Sequence, residues 1–174
     1  MKNKFVSTFL DILNELPNLA LGLITRESFE YKMMRAGGMN PNKIYQGFNN
    51  LRHRQILKKV STGYVLTTKG KQWALDLKFR RLRLSNNKKW DKKWRIVVFD
   101  IPEQFKQARH ILRSKLKALG FTMVQRSVFI CPFTCESEIA FLVQYLEISP
   151  HVDVIVAVSA GSREEEFKKQ YNLK

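Results

Sequence analysis

The spacing of apolar residues changes several times along the chain, and each change marks an element. Phe5, Phe9, Ile12 and Leu16 recur at helical spacing over residues 4–16, and Pro17-Asn18 ends that run. Leu19 to Ile24 is a compact apolar patch. Thr25 then offers an N-cap to a second helix through Arg35, closed by Gly37-Gly38. Asn40-Pro41 opens a third helix, with asparagine as the cap and proline at the first helical position. This helix runs to about Arg54 on a core stripe of Ile44, Phe48 and Leu51. Ile56 to Val60 and Tyr64 to Thr67 read as two short strands about Ser61-Thr62-Gly63. Thr68 to about Leu84 is a long helix with Trp73, Leu77 and Leu84 inward.

Ser85-Asn86-Asn87 breaks the helical pattern, and a basic connector leads to Trp94–Phe99, an apolar run too short for a helix. That strand stops at Asp100-Ile101-Pro102, because proline supplies no ladder donor. From Glu103 the period is helical again, with Ala108, Ile111, Leu112, Leu116 and Leu119 on one stripe up to Gly120. Thr122 to Phe133 reads as a strand pair. Cys135 to Leu146 is a helix facing inward through Ile139, Leu142, Val143 and Leu146, and Val152 to Val158 reads as a buried strand. Ser162-Arg163-Glu164-Glu165 has the form of a capping box for a last short helix to about Tyr171.

These elements predict an α+β chain of two parts. Residues 1–84 form a helix, turn, helix and basic hairpin, the order of a winged helix-turn-helix. Residues 85–93 form a linker, and residues 94–174 follow the order β-α-β-β-α-β, a ferredoxin-like arrangement with both helices on one face of an antiparallel sheet. The second sheet face is left bare, so a second copy or the other half of the chain is the expected cover.

Charge sharpens this division. The 174 residues carry 31 lysines and arginines against 15 acidic side chains, a net +16. Residues 1–93 hold 20 basic and 6 acidic groups, and the remainder hold 11 and 9. An excess concentrated in one half points to a polyanion bound by that half. The polar arc of the third helix carries Asn42, Lys43, Gln46, Asn49, Asn50 and His53. Amide and cationic side chains of this kind read base edges in a major groove, although a solvated face would have the same composition. Lys58 and Lys59 on the hairpin, and Lys78, Arg80, Arg81 and Arg83 leading into the linker, are the expected phosphate contacts.

The phrase Gly63-Tyr64-Val65-Leu66-Thr67-Thr68-Lys69-Gly70 resembles the second wing strand entering the next helix in winged-helix transcription factors. The signatures W-R-I-V-V-F-D-I-P-E, L-K-A-L-G-F and V-Q-R-S-V-F-I-C-P, within residues 90–158, resemble the central domain of the PaaX-type transcriptional repressors. That domain is itself similar to the small ferredoxin-like CRISPR-associated endonuclease at the dimeric centre of the spacer-acquisition complex. The resemblance implies a dimeric, cytoplasmic DNA-binding regulator, with double-stranded DNA and a second copy as partners. PaaX-type repressors continue into a further domain where this sequence has only a short helix, which argues against an acyl-CoA effector.

Catalytic motifs are absent by spacing, with no Ser-His-Asp or Cys-His set, no HExxH, no phosphate-binding glycine loop and no acidic cluster. Cys131 and Cys135 lack the second pair that a zinc site needs, and a reducing compartment suits them. The N-terminus has no signal-peptide block and no run is of membrane-spanning length. No cofactor is expected. Asp100 has two readings. The resemblance makes it the matching position for a proposed Mg²⁺ or Mn²⁺ ligand shared across a dimer; the enzyme alternative is a metal-dependent nuclease of the CRISPR-associated type, and a nonenzymatic DNA-binding adaptor is the other alternative. The local pattern Asp100-Ile101-Pro102-Glu103 instead fits an N-cap and capping box, which is the preferred reading. Gln125, Arg126 and Ser127 match the family's Q-x-S-V pattern and read as a turn or dimer contact.

Overall fold

The computed structural model describes residues 4–15, 31–35, 38–61, 63–84 and 89–173, without the side chains of residues 14 and 15. The chain forms two compact units that divide between Arg80 and Arg81.

The first unit contains α1 (Lys4–Glu15), a helical stretch over residues 31–35 (α2), α3 (Pro41–His53), a hairpin of β1 (Leu57–Val60) and β2 (Gly63–Leu66), and α4 (Thr68–Arg81). The expected stripes are buried: Phe5, Phe9 and Ile12 on α1, and Ile44, Phe48 and Leu51 on α3. Leu16, the patch Leu19–Ile24, the Thr25 cap and Gly37 lie outside the described residues. Asn40 caps α3 as its sequence predicts, its side-chain oxygen accepting from the Asn42 N–H at 2.8 Å. Phe48 stacks on Tyr64 and meets Phe5 and Phe9 edge-on, so α1, α3 and the hairpin share one aromatic core. Each such ring removed from water contributes roughly 1.5–3 kcal/mol.

Two glycines permit this packing. A Cβ on Gly47 would overlap the Phe5 ring, and one on Gly70 would overlap the Ile56 carbonyl. Helices α1 and α4 therefore approach closer than any other residue at those positions would allow. The first strand starts one residue later than its apolar pattern suggests, because Gln55 has φ of 58° and Ile56 is spent in the turn. Helix α4 ends at Arg81, short of Leu84.

In the second unit, β3 (Trp94–Phe99), β4 (Thr122–Gln125), β5 (Val128–Cys131) and β6 (Val152–Ala157) form a sheet of order β4-β5-β3-β6, antiparallel at every pairing. Helices α5 (Lys106–Ala118) and α6 (Glu136–Tyr145) are the crossovers, and α7 (Glu164–Gln170) follows β6. Arg95, Val97, Phe99, Phe129 and Met123 share one face. Arg95 bonds Glu136 at the start of α6 and Arg113 of α5 reaches the Met123 sulfur, so both helices cover that face. This is the ferredoxin-like order expected from the sequence.

Four expectations for this unit need correction. The second sheet face is not bare, because Phe167, Tyr171 and Leu173 fold over Trp94, Ile130 and Ile96, and Trp94 is wholly buried. The Tyr171 hydroxyl accepts from the Thr122 N–H and O–H and lies 2.9 Å from the Gly120 and Ile130 carbonyls, locking α7 to β4 and β5. Strand β6 is a half-exposed edge, with Ile155 at 50% exposure, because only β3 pairs with it. Ser162 does not cap α7, which has no side-chain cap; a 3₁₀ turn, Gly161–Arg163, precedes it, and the Glu164 carboxylate reaches back to accept from the Ser159 hydroxyl and the Ala160 N–H, which with Lys168 holds its pKa down to about 2.

The fourth correction concerns Asp100. A 3₁₀ turn, Glu103–Phe105, precedes α5 and no side chain caps either element. Asp100 is exposed, its N–H donating to the His151 carbonyl at 3.0 Å. Proline at 102 carries the chain extended before the turn begins, which separates the carboxylate from the helix amides it was expected to cap.

Of the stretch read as a linker, residues 85–88 are outside the described part. Residues 90–93 are bound into the second unit. Trp90 packs on Trp94 and donates to the Lys93 carbonyl, and the buried Arg95 guanidinium takes Asp91 at 2.7 Å and Glu136 at 3.1 Å. Those bonds to Arg95 hold the Asp91 carboxyl at about 2.

A cationic candidate nucleic-acid interface

The polar arc of α3 emerges as a ridge between two clefts. With Ile44, Phe48 and Leu51 committed to the core, helical periodicity turns Lys43, Gly47, Asn50 and Arg54 to one flank and Arg52 to the other, leaving Asn42, Gln46 and His53 between them. On the first flank, Lys43, Gln46, Asn50, His53 and Arg54 share a cleft of about 720 Å³ with Lys4 at the start of α1. On the second, Arg52 and His53 share a cleft of about 760 Å³ with Lys58 and Lys59 of β1 and Lys69 of α4. His53 lines both.

Thr67 holds the second cleft together. Its hydroxyl donates to the Gln55 carbonyl at 2.6 Å and accepts the Gly70 N–H at 2.9 Å, while its own N–H donates to the Ile56 carbonyl. One side chain thus ties the exit of α3, the base of the hairpin and the first turn of α4. The geometry of the cations follows from backbone bonds and not from their own long side chains.

Among the described residues, neither lining contains an acidic side chain. Among the described residues, the seven lysines and arginines of the two clefts take part in no ion pair. In the second unit, by contrast, cations are paired, for instance Lys106 and Arg109 with Glu103. Like charges held together without counter-charges raise the local potential and favour an anion.

The structure gathers Lys43, Gln46, Asn50, His53, Lys58 and Lys59 at these clefts. Asn42 is exposed on the ridge, and Asn49 is half-buried and accepts from Arg52 at 3.4 Å. Lys78, Arg80, Arg81 and Arg83 line neither cleft; Arg80 and Arg83 are exposed, Lys78 and Arg81 are half-buried, and Arg83 donates to the Leu82 carbonyl. Lys4, Arg52, Arg54 and Lys69 escaped the sequence reading. Arg52 and Arg54 were visible as R-H-R at the helix end, whereas Lys4 and Lys69 reach the site only through the packing at Gly47 and Gly70.

Among the described residues no three His, Cys, Asp or Glu side chains come together, and Glu103, the acidic neighbour of Asp100 in sequence, is drawn to Arg109 at 2.6 Å. Arg109 holds the Glu103 carboxyl below its usual range. Gln125 and Arg126 are exposed at the β4–β5 turn, and the Ser127 carbonyl accepts from the Phe99 N–H. No described helix is long and apolar enough to cross a membrane.

Residues 87–168, a little under half of the chain, match the family described as the PaaX protein central Cas2-like domain. No curated protein sequence matches the chain. Among solved structures, an uncharacterized protein from Mycobacterium tuberculosis, Rv0674, is similar at 13% identity and a TM-score of 0.36, over 94% of this chain. The chain spans 64% of that protein's length.

Proposed function

We propose, from the match of residues 87–168 to the PaaX central Cas2-like domain, that the whole chain is a DNA-binding transcriptional regulator of the PaaX type. In this reading the first unit is a winged helix-turn-helix. Helix α3 enters the major groove, Gln46 and Asn50 read bases, and the hairpin lysines Lys58 and Lys59 hold phosphates. The observation that supports it most is the pair of clefts, free of acidic side chains among the described residues, on either side of an amide-rich ridge. A surface built only for solubility would intersperse both signs of charge.

Assembly follows from the second unit. The part of the sheet face beyond the reach of α7 presents Val98, Val128 and half-exposed Ile155, and a second copy covering it would make a two-fold dimer on a palindromic site. Repression then needs no chemistry, only occupancy of the operator.

The test is a comparison of variants by fluorescence anisotropy on cognate and random duplexes. Gln46→Ala and Asn50→Ala should each cost about 1–3 kcal/mol on the cognate site and little on random DNA. Lys58→Ala should weaken both equally. Equal losses from all three on both duplexes would sink the base-reading role of α3.

A metal-dependent nuclease is the second reading, favoured by one observation: the Asp100 carboxylate is exposed and has no partner among the described residues. Mg²⁺- or Mn²⁺-dependent cleavage that disappears in Asp100→Asn would replace the regulator reading.

A further inference from the structure

We infer that the cleft between α1 and α3 is a second phosphate seat, which holds the DNA strand opposite the one gripped by the hairpin, through Lys4, Lys43 and Arg54. The inference deepens the DNA-binding reading above and rests on it. An α-helix with its side chains is roughly 10–12 Å across and the major groove is about 12 Å wide, so an inserted helix turns one flank toward each backbone. The hairpin serves only one flank. On the other, the cations come from three places: Lys43 in the first turn of α3, Arg54 just past its end, and Lys4 from α1.

Their arrangement suits a strand running past, and not a single small anion. Lys43 and Arg54 stand eleven residues apart on the same flank, about 16 Å along the helix axis, so together they span several phosphates. Lys4 closes the cleft because the Phe5 ring occupies the space where Gly47 has no side chain, drawing the first turn of α1 against α3. The Lys4 carbonyl is occupied by the Ser7 and Thr8 hydroxyls at 2.9 and 3.1 Å, whereas its ammonium is committed to no ion pair among the described residues. Phosphates are sequence-blind, so this seat should add affinity and fix the depth of α3 without altering which bases are preferred.

The experiment uses the full chain and a labelled duplex, with Lys4→Ala, Arg54→Ala, Lys4→Arg and, for the hairpin side, Lys58→Ala. Each alanine variant should lower affinity by the same factor on cognate and random DNA. Each should also make the fall in affinity between 50 and 200 mM salt about 3.5-fold less steep, the effect of one phosphate contact. Lys4→Arg should bind like the parent. Phosphate-ethylation interference should lose sites on one strand in Lys4→Ala and Arg54→Ala, and on the other in Lys58→Ala. An unchanged salt slope in both α1-side variants, while Lys58→Ala loses a contact, would overturn this seat alone. Losses on the same strand as Lys58→Ala would do so too. Failure of the parent chain to bind duplex DNA would overturn both this seat and the regulator reading.

Discussion

Replacing Tyr171 by phenylalanine removes one oxygen from the lock that holds α7 over the sheet and leaves the ring against Trp94 and Phe133 in place. That oxygen can donate one bond, to Gly120 or Ile130, and accepts two from Thr122, all at 2.9 Å. At about 1 kcal/mol net for each bond the loss approaches 3 kcal/mol, and rotation of the Thr122 hydroxyl to another acceptor recovers part of one bond. The expected cost is therefore about 2–3 kcal/mol. Urea unfolding followed by tryptophan emission measures it, in a Trp73→Phe background so that only Trp90 and Trp94, beside the perturbed site, report. Burial pushes the Tyr171 hydroxyl up to about 12, so the neutral form is favoured in the folded state. The stability it contributes should be complete below the ordinary tyrosine value of 10.0 and should fade as pH rises toward 12. A cost under about 0.5 kcal/mol, the range of an unremarkable surface change, would refute the lock and return the sheet face to solvent.

Three further outcomes are expected. Gly70→Ala should destabilise the first unit by about 1–3 kcal/mol in thermal melts, because overlap with the Ile56 carbonyl outweighs the roughly 1 kcal/mol gain in helix propensity. Asp91, held at about 2 by Arg95, contributes stability that is present above its ordinary 3.8 and lost as pH falls through 2. The difference between the parent and Asp91→Asn should be about 1 kcal/mol or less at pH 5, since the carboxylate is 42% exposed, and should vanish near pH 2 in acid titrations of the urea midpoint. If all seven lysines and arginines of the two clefts meet phosphates, the slope of log affinity against log salt should approach about −6 per chain, and a slope shallower than about −2 would show that most of them do not.

Local chemistry in the sequence was enough to place most elements. Asn40-Pro41 starts α3 because a cap and a preset φ act within one turn, and the stripe Ile44, Phe48, Leu51 needs only helical periodicity to find the core. The order β-α-β-β-α-β followed from alternation and helical spacing, and the charge division from composition alone. Asp100 misled for the same local reason: Asp-x-x-Glu reads as a capping box until Pro102 and the 3₁₀ turn are seen to intervene. Tertiary structure decided whatever depends on residues distant in sequence coming together. Trp94 is buried because Phe167 and Tyr171, more than 70 positions later, fold over it, and no periodicity in β3 encodes that cover. Lys4 and Arg54 share a cleft because Gly47 lacks a side chain where the Phe5 ring lies, and Lys69 meets Arg52 because Gly70 sits on the Ile56 carbonyl. A glycine in a helix reads as a weakness from sequence, and only the packed neighbour shows that its missing Cβ is the contact.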